Sequence, residues 1–258
     1  MRNARYTSYI ICTSPRSGST LLCRMLAATG RSGQPDSHFH KPSLSSWLKT
    51  FALSAADFAS DRDALKAIFE VARKRGTGDT GIFGLRLQRG SFDYFMQQAG
   101  LLYPDQKSDL DRIQAAFGST LFIHLTRENK LDQAISIVKA TQTGLWHRAA
   151  DGTELERLSA PQDPVYDADE IAGQLAGLSA LDTAWKTWFE REKLHPLRIS
   201  YEALSDDPAG MLAKILEALG LDQDMAQDIE PPVAKLADAT NRIWAERFRA
   251  EKRHGQYM

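Results

Sequence analysis

The sequence predicts an α/β fold, a parallel sheet flanked by helices, and two observations carry that reading. Short runs at 9–13, 81–87, 120–125 and 197–200 have the length of strands, and helix-spaced apolar residues separate or follow them. The first run passes through a turn of small polar residues, 14–19, straight into a helical pattern, a P-loop-like arrangement. Strands alternating with helices imply a parallel sheet wound on both faces, with ligands at the strand carboxyl ends.

The elements follow in order. Leu21, Leu22, Met25 and Leu26 recur at helical spacing until Gly30. Residues 34–46 read as a polar loop with Pro35, Pro42, His38 and His40. Asp61 is positioned to cap a helix whose apolar face is Leu65, Ile68, Phe69 and Ala72, stopped by Gly76. A helix is expected over 91–98, and Leu110, Ile113 and Phe117 mark another. After the 120–125 strand, Leu131, Ile135, Val138 and Leu145 define a helix, and 149–166 reads as loop. A long helix carries Ile171, Leu175, Leu178, Trp185 and Trp188, so 148–196 reads as a helical excursion from the sheet. Pro208 opens the next helix at a position where proline is tolerated.

Composition bounds the function. The 258 residues suit one large α/β domain or two small ones. With 43% apolar and 25% charged residues the chain is globular, and a formal net charge of −1 excludes a basic surface that tracks nucleic acid. No apolar run is long enough to span a bilayer, so no transmembrane segment is expected. The apolar stretch near the N-terminus ends at Thr13–Ser14–Pro15, too short for a signal-peptide core, so a cytoplasmic protein is expected. Cys12 lies in the first strand and Cys23 in the following helix, where two buried reduced thiols are expected.

The strongest local signal is Thr13–Ser14–Pro15–Arg16–Ser17–Gly18–Ser19–Thr20–Leu21–Leu22. It joins a strand to a helix N-terminus, where unpaired N–H groups and the helix dipole favour an anion. Gly18 permits close backbone approach, Ser17, Ser19 and Thr20 add hydroxyls, and Arg16 adds a fork of charged donors. A plain capped helix would account for Gly18 and Ser19 but not for an arginine inside the turn. A Walker A loop would need glycine where Thr13 stands and lysine where Ser19 stands. The 120–125 strand ends in Thr126–Arg127, without a carboxylate for magnesium, so no metal site is expected. Arg127 and, further along the next helix, Ser136 can both donate to phosphate oxygens. A surface salt bridge of Arg127 with Glu128 or Asp132 is the plainer alternative.

Residues 14–22 resemble the 5′-phosphosulfate loop of bacterial sulfotransferases that use 3′-phosphoadenosine 5′-phosphosulfate (PAPS). They are most similar to the trehalose 2-sulfotransferase and lipopolysaccharide sulfotransferase family. The likeness continues through Ala28–Thr29–Gly30 and Gly33–Gln34–Pro35. Residues 120–136 resemble the family's 3′-phosphate segment, 185–189 its long helix, and Tyr201–Glu202–Ala203–Leu204 with Asp207–Pro208 an element shared widely among sulfotransferases. The resemblance implies one sulfotransferase domain over 1–258, PAPS as donor, and a carbohydrate or glycolipid hydroxyl as acceptor. It also implies a homodimer. It sets Arg16, Ser17, Gly18, Ser19 and Thr20 at the 5′ end of the nucleotide and Arg127 with Ser136 at the 3′-phosphate.

Sulfuryl transfer needs stabilisation of the leaving phosphate, a task for Arg16, and a base for the acceptor proton. The family's base is a glutamate just after the Gly-x-Pro turn, and Ser37 occupies that position here. His38, adjacent and titrating near neutrality, is the expected substitute, with His40 and Asp36 as rivals. Arg86 matches a basic position of the family and is open between a role towards sulfate or acceptor and a surface role, as is Arg89. Trp146 and His147 are open between an acceptor wall and ordinary packing, with packing favoured. Asn241, Arg242, Trp244 and Arg247 fall where sulfotransferases often close over the nucleotide. Two other readings remain: a nucleotide-dependent small-molecule kinase on a degraded P-loop, and a non-catalytic nucleotide-binding member.

Overall fold

The structure, a computed structural model, describes residues 5–149, 151–231 and 238–254. Strand β1 (Ser8–Thr13) leads through a tight turn into α1 (Ser19–Ala28). Helices α2 (Leu44–Phe51) and α3 (Asp61–Thr77) precede β2 (Phe83–Gln88), which is followed by α4 (Arg89–Leu102) and α5 (Asp109–Phe117). Strand β3 (Thr120–Thr126) runs into α6 (Lys130–Thr143), then β4 (Leu145–Arg148), β5 (Glu154–Arg157) and the long α7 (Ala168–Arg191). The chain continues through β6 (Leu197–Ser200), α8 (Tyr201–Asp206), α9 (Pro208–Leu219) and α10 (Ala239–His254).

Strands β2, β1, β3 and β6 form a parallel sheet in that spatial order. The chain leaves β1 for β2 on one side, and leaves β3 for β6 on the other. That reversal opens a crevice at the carboxyl ends of β1 and β3, the switch point where ligands of such sheets bind. The 14–18 turn follows β1 and Arg127 follows β3, so both sit at its mouth.

Alternate residues of β1 feed opposite layers, as the pleat demands. Ile10 and Cys12 join Leu85, Leu87 and Phe122 beneath α2, α3, α4 and α7. Tyr9 and Ile11 join Leu121, Ile123 and Leu125 against α1 and α9. Each fully buried isoleucine or leucine here contributes about 1.5–3 kcal/mol of transfer free energy. A third cluster joins α6, α7 and α10 through Val138, Leu178 and Trp244. Cys12 and Cys23 are buried free thiols. Among the described residues no helix is long and apolar enough to cross a membrane.

Several expectations need correction. The stretch read as loop, 149–166, holds a strand: β5 pairs with β4 as an antiparallel hairpin, and Leu145 lies in β4 rather than on the preceding helix. Helix α7 is no excursion, because Trp185, Trp188 and Phe189 lie in the main core. The polar loop after α1 ends early, at Ser43, which caps α2. The cap of α3 is Ser60, not Asp61. Gly76 does not stop that helix; it lies inside it, so close to Phe83 and Gly84 that a Cβ would clash, and Gly78 ends the helix instead.

Candidate active site

The turn between β1 and α1 is held in an unusual backbone shape from several directions. Arg16 and Gly18 both have left-handed φ values, 60° and 84°. A Cβ on Gly18 would stand 2.6 Å from Tyr201 Cδ2, so glycine is required twice over, by φ and by space. Thr13 Oγ1 donates to Leu125 O at 2.9 Å and shares a 2.5 Å hydrogen bond with Ser17 Oγ. The Ser17 hydroxyl therefore closes the turn on itself. Trp185 Nε1 donates to Thr13 O at 2.9 Å, and Gln133 Nε2 donates to Pro15 O at 2.6 Å. Ser14 is tied to Gln133 and to Asp182, and Asp182 pairs with Lys130 at 2.5 Å. Helices α6 and α7 thus fix the turn before any ligand arrives, which is the preorganisation an anion site requires.

Both expected phosphate-binding groups converge on this turn. Arg16 donates from Nε to Ser136 Oγ at 3.0 Å and from Nη1 to Trp146 O at 2.5 Å. Arg127 Nη1 reaches Arg16 O at 3.5 Å, and its guanidinium lies 4.6 Å from the centre of the Tyr201 ring. Arg127 is buried and its Nε has no hydrogen-bond partner. The alternative of a salt bridge with Glu128 or Asp132 is not what the side chain does. Burial and then the nearby Arg127 push Arg16 down to about 10, which leaves it charged at neutral pH. The Tyr-Glu element acquires a physical role here. Tyr201 packs on Gly18 and under Arg127, and Glu202 accepts from the backbone N–H of Glu128 and Asn129 at 3.0 and 3.2 Å.

A cavity of about 590 Å³ opens beside Thr20, lined by Ser37, Arg86, His147 and Glu156 among others. The segment before it adds to the edge of β2: Asp36 bridges Leu85, and Arg86 N donates to Asp36 O at 3.1 Å. That pairing delivers Ser37 to Arg86, whose Nε donates to Ser37 Oγ at 2.6 Å. Arg86 Nη1 donates to Thr20 Oγ1 at 2.9 Å. Arg86 is therefore part of the site. Arg89 is not; it pairs with Asp93 and lies over Phe92 and Trp185.

The loop histidines are placed less directly. His38 lines the same cavity, but its ring packs between Phe51 and Phe83, at 6.0 and 6.5 Å, and its Nε2 is buried without a partner. Burial pushes its pKa down. His40 is exposed; desolvation and then Arg86 lower its pKa. Neither has a hydrogen bond to the phosphate turn. The histidine that reaches the start of α1 is His147, whose Nε2 is 2.9 Å from Thr20 Oγ1 and whose Nδ1 is 2.5 Å from Glu156 Oε2. Glu156 was not legible as a site residue, because only the β4–β5 register sets it opposite His147.

A second cavity, about 400 Å³, opens on the Arg16–Ser136 face and is bordered by Lys139, Arg148, Arg157 and Asn241. Asn241 accepts from Lys139 Nζ at 2.7 Å. Trp244 is buried in the α6–α7–α10 cluster, and Arg247 stacks on Tyr166, away from the turn.

Two relatives of this chain are sulfotransferases. The chain is 28% identical over 261 residues to the trehalose 2-sulfotransferase of Mycobacterium tuberculosis (strain ATCC 35801 / TMC 107 / Erdman), covering 94% of each chain. It is 28% identical over 270 residues to that of Mycolicibacterium smegmatis (strain ATCC 700084 / mc(2)155), covering 95% of each. Among solved structures, it is similar to the sulfotransferase domain of the Synechococcus PCC 7002 olefin synthase. That match covers 96% of this chain and 97% of that one, with 16% identity and a TM-score of 0.42, too distant to carry residue roles. The Stf0 sulphotransferase profile matches residues 8–251, so nearly every element described above falls inside it, and the chain belongs to the Stf0 sulphotransferase family.

Proposed function

We propose that this sulfotransferase moves a sulfuryl group from PAPS to a hydroxyl of a carbohydrate or glycolipid acceptor. The observation that carries the reading is the meeting of Arg16 and Arg127 at the β1–β3 crevice. Their contacts are with a hydroxyl, backbone carbonyls and an aromatic ring rather than with a carboxylate. Two guanidinium groups this close repel each other, and an anion between or beside them relieves that repulsion. The buried, unpartnered Nε of Arg127 fits a phosphate oxygen as its missing acceptor.

Bound PAPS supplies the sulfuryl group and a bisphosphate leaving group. Arg16, Ser19, Thr20 and the first-turn N–H groups of α1 bind its 5′ end, with Gly18 giving the backbone room. Ser17 holds the turn closed. Arg127 and Ser136 bind the 3′-phosphate. Arg16 stabilises charge that builds on the leaving oxygen, and it does so from a fixed position, because Ser136 and Trp146 hold its fork. The acceptor occupies the larger cavity, whose lining sets Thr20, Ser37, Arg75 and Arg86 beside apolar Ala27, Pro35 and Leu155, a mix that suits both the hydroxyls and the ring faces of a sugar. The two trehalose 2-sulfotransferases it resembles act on a sugar, which supports the same acceptor class. The cytoplasmic setting and the homodimer implied by the resemblance belong to the same proposal.

The test is transfer of radiolabel from PAPS to a panel of sugars, trehalose included, and to glycolipids. Label in a sugar or glycolipid is expected. Label that enters only phenols, or phosphoryl transfer from ATP to the same panel, would overturn the proposal.

A further inference from the structure

Ser37 cannot take a proton unaided, and its hydroxyl is already bound to Arg86. The larger cavity nevertheless contains an imidazole, His147, in contact with Thr20 in the first turn of α1. His147 on β4 and Glu156 on β5 are directly opposite in the hairpin, so their side chains leave the same face. Glu156 Oε2 lies 2.5 Å from His147 Nδ1. An ionised carboxylate only accepts, so Nδ1 carries the ring proton and Nε2 presents a lone pair. That Nε2 is 2.9 Å from Thr20 Oγ1. Thr20 Oγ1 in turn accepts from Arg86 Nη1. With the ring proton held on Nδ1 by Glu156, the Thr20 hydroxyl is the donor to Nε2.

We propose that His147, oriented by Glu156, is the general base of this enzyme, standing in for the carboxylate that Ser37 replaces. The proposal rests on the sulfotransferase reading above. When the Thr20 hydroxyl turns to the 5′ end of the donor, Nε2 is freed, and the acceptor hydroxyl gives its proton to it as its oxygen bonds to sulfur. The bond from sulfur to the 5′-phosphate oxygen breaks, and its electron pair leaves on adenosine 3′,5′-bisphosphate. The imidazolium that forms is held by Glu156, a positioning residue. His38, packed between Phe51 and Phe83 with no hydrogen bond to the turn, lacks this arrangement. The charged groups that face His147 are Glu156 from β5, Arg16 from the turn and Arg86 from β2. Burial lowers its pKa first, Glu156 raises it through their hydrogen bond, and the two arginines lower it. The ring is therefore neutral and competent at pH 7.

The experiment compares native enzyme with His147→Ala, Glu156→Gln, Glu156→Asp and His38→Gln. Each is measured for affinity towards adenosine 3′,5′-bisphosphate and for turnover of PAPS against pH, with the sugar that the native enzyme uses fastest. His147→Ala is expected to lose about a hundredfold or more in kcat, to lose the acid limb, and to keep its bisphosphate affinity. Glu156→Gln is expected to slow turnover and to move the acid limb to lower pH, because a neutral amide no longer raises the imidazole pKa. Glu156→Asp should restore part of both, an effect that a merely structural glutamate would not give.

Near-native turnover in His147→Ala, or an acid limb lost in His38→Gln but kept in His147→Ala, overturns the proposal. Failure of native enzyme to bind the bisphosphate would instead overturn the donor reading. If the bisphosphate binds but no sugar is sulfated, the acceptor class is wrong. Nitrogen-15 spectra of the histidine rings then decide the base: His147 protonated on Nδ1 alone at pH 7 upholds it, and protonation on Nε2 overturns it.

Discussion

Replacing Gly18 by alanine perturbs the one point where the phosphate turn, the Tyr-Glu element and Arg127 meet. The residue has φ 84°, a left-handed conformation that costs a non-glycine residue about 1–2 kcal/mol. The new Cβ would stand 2.6 Å from Tyr201 Cδ2 and 3.2 Å from Cε2, so the ring must move. Overpacking of this kind costs about 1–3 kcal/mol. The expected loss of stability is therefore about 2–5 kcal/mol, read as a lower urea midpoint at unchanged slope. The displaced ring also leaves the Arg127 guanidinium, now 4.6 Å from its centroid, and about 0.5–2 kcal/mol of cation–π stabilisation goes with it. Calorimetry should then show adenosine 3′,5′-bisphosphate binding weakened by roughly threefold to thirtyfold beyond what altered turn geometry does alone. The double variant Gly18→Ala, Tyr201→Ala separates the two, because removing the ring relieves the clash while the strain remains. A Gly18→Ala protein with native stability and native bisphosphate affinity would refute the packing argument. So would a Gly18→Ala substitution that costs as much stability in the Tyr201→Ala background as in the native protein.

Two further outcomes follow from the same geometry. Arg127→Ala should weaken adenosine 3′,5′-bisphosphate by roughly 10–150-fold, the worth of a charge-assisted hydrogen bond, while adenosine 5′-monophosphate loses far less; equal losses by calorimetry would show that Arg127 does not read the 3′-phosphate. His124 is buried with Arg198 beside it, and burial, opposed in part by Asp182 and reinforced by Arg198, holds its pKa down to about 4. The unfolded chain takes up that proton near pH 6.5 and the folded one near 4, so stability is full above pH 6.5. It falls by about 1.4 kcal/mol per pH unit through that window, roughly 3 kcal/mol in all. Urea midpoints of native protein and His124→Leu across pH 4–7 check this; the variant should lose that share of the slope and keep the part that His38, His40 and His147 contribute.

How much was legible in the sequence depended on whether the signal was local. The central strands β1 and β3 announced themselves as apolar runs, because a parallel strand buried on both faces needs nothing else. The turn was equally legible, since an arginine among small residues between strand and helix has few plain explanations. Helix α2 carried its own signal, Ser43 as cap with Leu44, Trp47, Leu48 and Phe51 at helical spacing, hidden by the polar residues before it. The β4–β5 hairpin carried almost none. Glu154–Arg157 is short and largely exposed, with three charged residues in four, so there is no apolar alternation to detect. The His147–Glu156 pair depends on that hairpin's register and so could not be read ahead of it. Asp182 and Gln133, which anchor the turn, looked like ordinary polar positions on helices; only their contacts with Ser14 and Pro15 distinguish them.

The donor is the centre of the account, and direct binding to the native protein tests it most simply. Calorimetric titration with adenosine 3′,5′-bisphosphate and with ATP, each with and without chelator, separates a two-phosphate site built from arginines from a metal-dependent nucleotide site. The expected result is bisphosphate binding that chelator leaves unchanged and that is tighter than ATP binding. Bisphosphate binding abolished by chelator, or weaker than that of ATP, would contradict the account.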